Sequence, residues 1–153
     1  ISMPRVIFEL GRSVVGPSGI LISKILALKS SEDSQGKNFM IVDAAMNDLL
    51  RPSLYNAYHH IFKLNQTSYE GKEKKWDIVG PVCETGDWLG KDRLMDPKEG
   101  DLIGLASAGA YGSSMTSNYN SRRKPAEVMI RQNGGVDLIK IRESFDDLIS
   151  KEV

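Results

Sequence analysis

The sequence predicts a mainly β fold, a barrel or a sandwich with little helix. Three observations predict it. Short apolar runs recur along the 153 residues. Turn signals rich in glycine, proline, asparagine and aspartate separate them every ten residues or so. Two of the runs flank Asn133-Gly134-Gly135, a strong hairpin signal.

Taken in order, residues 5–10 come first and fit least well. Val6, Ile7 and Phe8 are continuous, which suits a strand covered on both faces of a parallel sheet and ended by Gly11. Residues 19–29 are apolar, so periodicity alone allows helix or strand. The polar loop 30–38 and the apolar run 39–43 favour a hairpin. Residues 51–61 read as a short helix with Pro52 in its first turn. Residues 60–64 continue into a strand, and residues 69–75 form a charged turn around Gly71. Residues 76–83 read as a strand interrupted at Gly80-Pro81, and residues 101–106 as another. Residues 126–131 and 136–142 form the hairpin about Gly134. Ser144 caps a terminal helix, with Asp147 completing a weak capping box.

Composition narrows the function. Hydrophobic residues make up 41% and charged residues 26%, enough to bury one core. Lysine plus arginine and aspartate plus glutamate are 20 each, so no net charge attracts nucleic acid. The apolar runs are too short to span a bilayer as helices, and no signal-peptide pattern opens the chain. A single cysteine, Cys83, excludes an internal disulfide and fits a reducing, cytoplasmic compartment. Ile1 in place of methionine fits a processed or partial product.

Four places carry more polar and glycine residues than structure requires. Glu9-Leu10-Gly11-Arg12 ends the first run, where parallel α/β folds bind ligands; a surface ion pair beside a turn glycine explains it equally well. Arg51 and Tyr55 share a helix face and offer several donors to one carboxylate, unless the arginine simply lies over a half-buried phenol. Cys83-Glu84 between glycines suits proton transfer or amine recognition; a lone cysteine is more often a small buried hydrophobe. Ala108-Gly109-Ala110-Tyr111-Gly112 suits close approach to a phosphate, or is a plain turn between strands. His59-His60 lack metal-ligand spacing, so no metal site is expected.

These four patches, in this order and spacing, resemble the C-terminal portion of the diaminopimelate decarboxylase family, fold-type III pyridoxal-phosphate enzymes. Glu9-Leu10-Gly11-Arg12 resembles the family's Glu-Pro-Gly-Arg. Residues 43–55, from Asp43 through Met46-Asn47-Asp48 to Arg51-Pro52-Ser53-Leu54-Tyr55, resemble its Asp-Ala-Gly-Met-Asn-Asp-Leu-Ile-Arg-Pro-Ala-Leu-Tyr. Gly80-Pro81-Val82-Cys83-Glu84-Thr85-Gly86-Asp87 resembles its Gly-Pro-x-Cys-Glu-Ser-Gly-Asp, and the stretch from Gly109 through Asn118-Tyr119-Asn120-Ser121-Arg122 to Glu127 its glycine-rich end. Leu10, Ala45, Thr85 and Ser107 depart from the pattern, where proline, glycine, serine and aspartate are usual.

The resemblance implies that residues 1–18 are the last strand and turn of a (β/α)8 barrel and residues 19–153 a C-terminal β domain. It implies pyridoxal 5′-phosphate as cofactor, with Glu9, Gly11 and Tyr111 on the cofactor side. Arg12, Arg51 and Tyr55 would grip the substrate's retained carboxylate, Glu84 its distal amine, and Cys83 would donate a proton. Cys83 and Glu84 would reach into the site of a partner subunit in a homodimer. No lysine here matches the family's cofactor-bearing lysine, so this chain alone is expected to be inactive. The competing readings are a related decarboxylase of another basic amino acid or carboxynorspermidine, and a non-catalytic β domain that binds a partner.

Overall fold

The computed structural model describes residues 3–33, 36–64 and 73–153. Among the described residues eight strands form two sheets. In chain order they are β1 (Leu21–Lys29), β2 (Phe39–Val42), β3 (Ile61–Lys63), β4 (Lys74–Val79), β5 (Trp88–Met95), β6 (Leu102–Leu105), β7 (Glu127–Ile130) and β8 (Val136–Lys140). Three five-residue helices accompany them: α1 (Gly11–Val15), α2 (Arg51–Tyr55) and α3 (Phe145–Ile149). The mainly β expectation holds.

The larger sheet has the order β3-β6-β1-β2-β4-β5. Its edge strands β3 and β5 approach each other, so the sheet is a nearly closed barrel. Lys63 on β3 fastens the seam: its ammonium donates to the Asp96 carbonyl (3.0 Å) and pairs with Asp101 (2.8 Å). Burial pushes the Asp101 carboxyl up, but Lys63 and the Lys98 N–H outweigh it and hold it below the ordinary range. β1 and β2 form the expected hairpin, Ile25 facing Val42. β2 then pairs in parallel with β4, which requires a crossover; the connection 43–73 contains α2 and β3.

Alternation builds the core. On β2, Met40 and Val42 point inward; on β1, Ser23 and Ile25 do. They join Leu49, Ile78, Leu89, Ile103 and Leu105 in one cluster with almost no exposure. Burying each such side chain stabilises the fold by about 1.5–3 kcal/mol. Trp76, also buried, places its indole N–H on the Met95 carbonyl (3.2 Å).

Several expectations need correction. Residues 5–10 form no strand: they have no ladder partner among the described residues, and Val6, Ile7 and Phe8 are exposed. A strand needs a neighbour for its N–H and C=O groups, and among the described residues no strand pairs with these. Gly11 opens α1 instead of ending a strand. The helix expected over 51–61 stops at Tyr55, because Asn56 takes a left-handed conformation (φ 53°). The strand expected over 76–83 spans Lys74–Val79 and leaves Cys83 in a loop. The turn expected at 69–75 lies outside the described residues up to position 72, and Lys74 and Lys75 belong to β4. β5 is an addition that the sequence pattern does not predict.

β7 and β8 pair as the expected hairpin around Gly134 (φ 82°). Ser144 and Asp147 form the expected capping box on α3. Among the described residues no helix is long and apolar enough to cross a membrane.

Candidate functional site

An open cleft of about 480 Å³ lies where α1, α2 and the loop after β6 converge. Glu9, Gly11, Arg12, Arg51, Tyr55 and Tyr111 line it, with Met115. Six of the eight residues singled out from the sequence therefore meet in one place, although they come from three separate segments.

Each element is held by identifiable contacts. Gly16 and Gly19 follow α1 and meet the loop after β6 backbone to backbone: the Ala108 N–H donates to the Gly19 carbonyl (2.9 Å) and the Gly109 N–H to the Gly16 carbonyl (3.1 Å). A Cβ on Gly19 would collide with the Gly109 backbone, so only glycine allows this approach. Tyr111 follows in a left-handed conformation (φ 59°), rare for a side chain of its size and found where a site fixes the backbone. On α2, Arg51 and Tyr55 are four residues apart and share a face. The Arg51 guanidinium lies 5.3 Å from the Tyr55 ring centre and 5.2 Å from that of Tyr111. Two aromatic faces thus orient one planar cation.

Cys83 and Glu84 do not line this cleft. They sit in the loop 80–87, which Asp87 organises. The buried Asp87 carboxylate accepts from the Met46 N–H (2.7 Å) and the Val82 N–H (2.7 Å), and a side chain at Gly80 would strike it. Ser53 on α2 donates to the Gly86 carbonyl (2.6 Å). Cys83 is exposed. Glu84 accepts from the Tyr119 hydroxyl (3.2 Å), and that carboxylate raises the phenol's pKa above its ordinary value.

Sequence reasoning gave no role to the scaffold beneath both groups. The turn between β2 and α2 is a polar hub in which Asn47 and Asp48 are buried. Asp43 accepts from the Ser23 hydroxyl (2.6 Å) and the Lys24 N–H (2.8 Å). Asp48 accepts from the Ala45 N–H (2.8 Å) and pairs with Arg122 (3.3 Å), which also donates to the Asp43 carbonyl (2.7 Å). Burial pushes the Asp48 carboxyl up, against those donors. A polar run between an apolar strand and a helix was the available signal. His59 is likewise structural: it is buried and its Nδ1 donates to the Ala106 carbonyl (2.9 Å).

The cleft can hold an anion on Arg12, Arg51 and the two phenols, and a protonated ring nitrogen on Glu9. Residues 13–109 match the family described as pyridoxal-dependent decarboxylase, C-terminal sheet domain. The chain is 49% identical, over 95% of its length, to diaminopimelate decarboxylase of Aquifex aeolicus, covering 33% of that protein. It is 48% identical, over 97% of its length, to the enzyme of the same name from Neisseria meningitidis serogroup A, covering 35% of it. The crystal structure of diaminopimelate decarboxylase from Helicobacter pylori complexed with L-lysine superimposes with a TM-score of 0.82 at 43% identity, over 93% of this chain and 34% of that one. The chain thus spans about one third of the length of the relatives it matches.

Proposed function

The chain belongs to the C-terminal sheet domain family of the pyridoxal-dependent decarboxylases, and from that premise we propose that it is this domain of a cytoplasmic diaminopimelate decarboxylase, which converts meso-2,6-diaminopimelate to L-lysine. One observation carries the reading: Glu9, Arg12, Arg51, Tyr55 and Tyr111, remote in sequence, line a single cleft. The names of the relatives, and glutamate after Cys83, favour diaminopimelate over other basic amino acids.

The cleft's donor set fits pyridoxal 5′-phosphate, which supplies the electron sink for loss of carbon dioxide. Glu9 would face the ring nitrogen and favour its protonated form. The Tyr111 hydroxyl, on a turn that Gly109 and Gly112 keep compact, would donate to the phosphate. Arg12, Arg51 and Tyr55 grip the carboxylate that the product retains. Cys83 would be the proton donor at the carbon from which the other carboxylate is lost. Glu84 accepts from the substrate's distal ammonium. In the full-length protein residues 1–18 would supply the last strand and turn of a (β/α)8 barrel whose other strands give residues 5–10 the neighbours they lack here, a reading supported by the bare apolar faces of Val6, Ile7 and Phe8.

Because Cys83 and Glu84 lie outside the cleft, the reading assigns them to a two-fold partner's site. The test uses the full-length enzyme. Arg51→Ala and Glu84→Ala homodimers should each be nearly inactive. After subunit exchange at equal amounts, half the dimers are mixed and each has one undamaged site, so roughly a quarter of the activity should return. Mixed dimers confirmed by mass spectrometry, without recovered activity, would place both residues in one subunit's site.

A further inference from the structure

The Asp43–Asp48 turn has one member whose purpose the cleft does not explain. Asn47 is almost fully buried. Its side-chain amide donates to the Ser117 carbonyl (3.1 Å) and the Tyr119 carbonyl (2.9 Å), spanning 72 residues of sequence to the latter. The Ser117 N–H returns a bond to the Asn47 carbonyl (3.2 Å). The backbone that follows is forced: Asn120 and Ser121 are consecutive left-handed residues (φ 56° and 54°), a conformation that costs free energy at non-glycine positions unless surrounding contacts impose it. Asn118 adds bonds to the Arg122 carbonyl (2.9 Å) and the Glu143 carboxylate. Much local hydrogen bonding is therefore devoted to fixing Tyr119, a half-exposed residue outside the core.

Tyr119 ends on Glu84, its hydroxyl 3.2 Å from Oε2. Glu84 is in turn placed by the loop that Asp87 organises, and Asp87 is tied to the Met46 N–H. Two adjacent residues of one rigid turn, Met46 and Asn47, thus anchor both halves of the Glu84–Tyr119 pair. We propose that Tyr119 is a positioning residue for substrate selection, which holds the Glu84 carboxylate in the orientation that receives the distal ammonium of a diamino acid. Resting on the role proposed above for Glu84, it adds a residue that touches that carboxylate and nothing else of the reaction. A phenol is well suited to this, because it donates one bond and leaves the other carboxylate oxygen for the ligand, and the raised phenol pKa keeps it a donor.

The test uses the full-length enzyme with its cofactor and two competitive ligands: L-lysine, and 6-aminohexanoate, which keeps the chain, the carboxylate and the terminal amine of lysine but lacks the α-ammonium, the one distal to the reacting carbon. Glu84→Gln reports on Glu84 and Tyr119→Phe on the inference. Tyr119→Phe should weaken L-lysine inhibition about five- to tenfold, since a hydrogen bond to a charged group is lost, and leave 6-aminohexanoate within twofold. KM for diaminopimelate should rise by a similar factor while kcat changes little. On the Glu84→Gln background, Tyr119→Phe should add nothing. If Glu84→Gln separates the two ligands and Tyr119→Phe does not, the inference is overturned and the Glu84 role stands. Equal losses for both ligands would make Tyr119 merely structural and also overturn it. If Glu84→Gln fails to separate them, the Glu84 role falls and Tyr119's role with it.

Discussion

The barrel and the β7–β8 hairpin are both strands of similar composition, and they are held in different ways. In the barrel, Ile25, Met40, Val42, Leu49, Ile78, Leu89, Ile103 and Leu105 are sealed from water. In and just beyond the hairpin, Val128, Ile130, Val136, Leu138, Ile139 and Ile141 are 57–74% exposed. Its order comes from backbone pairing, the turn at Gly134, two surface ion pairs, Lys140 with Glu127 (3.0 Å) and Arg131 with Asp137, and the Ser113 hydroxyl, which donates to Glu127 and accepts from Lys140 (3.2 Å). An isolated two-stranded ribbon of this kind is marginal in water. Strand propensity therefore reports conformation in both regions, and burial in only one.

Truncating one apolar side chain in each region tests the contrast most strongly. Ile78→Ala should cost about 2–5 kcal/mol in urea unfolding of this chain. Leu138→Ala should cost less than about 0.5 kcal/mol. Equal losses would mean that the hairpin is packed as tightly as the core.

A smaller effect is expected at the junction between core and site. Asp87→Ala leaves two amide donors, of Met46 and Val82, without their acceptor, and should destabilise by about 1–3 kcal/mol. Backbone chemical shifts should change in residues 80–87 and 43–48 together and stay fixed in β7 and β8. Perturbation confined to residues 80–87 would uncouple that loop from α2.

The smallest effect is a pH dependence that differs between the regions. Hydrogen bonds from the Ser144 N–H and hydroxyl hold the Asp147 carboxyl below its ordinary 3.8. Its contribution to α3 is present above 3.8 and is lost as pH falls through the lower folded value. Asp48 behaves oppositely. Burial raises its pKa, so between 3.8 and that raised value the folded state binds more protons, and through this group acidification favours folding. In an acid titration followed by NMR, helical carbon shifts at 145–149 should decay below pH 3.8 while those of β2 and β4 hold. Simultaneous loss in both regions would erase the distinction.

What the sequence disclosed follows the same division. Local signals succeeded: the glycine turn between β7 and β8, the capping box at Ser144, and the β1–β2 hairpin depend on residues close in sequence. Residues 5–10 mislead because a continuous apolar run specifies a strand only with a neighbour to pair with. β5 is hidden because Lys91, Asp92 and Arg93 break its apolar pattern. There Asp92 is left-handed (φ 53°), and its N–H bonds the Asp77 carboxylate (2.9 Å) across an irregular register. The cleft residues were legible through motif spacing. Asp87 and Asn47 gained roles only from the fold, because their partners lie 41 and 72 residues away.

Those sequence separations also order events in time. Ribosomes add about 5–20 residues per second. The β1–β2 hairpin has both its strands once Val42 has emerged, whereas Asn47 waits for Tyr119, 72 residues later, and Asp48 waits for Arg122, 74 residues later. For roughly 4–15 seconds of synthesis the turn preceding Arg51 exists with its buried carboxylate unpaired and its amide unclaimed. The apparatus around Glu84 is therefore among the last parts of the nascent domain to set.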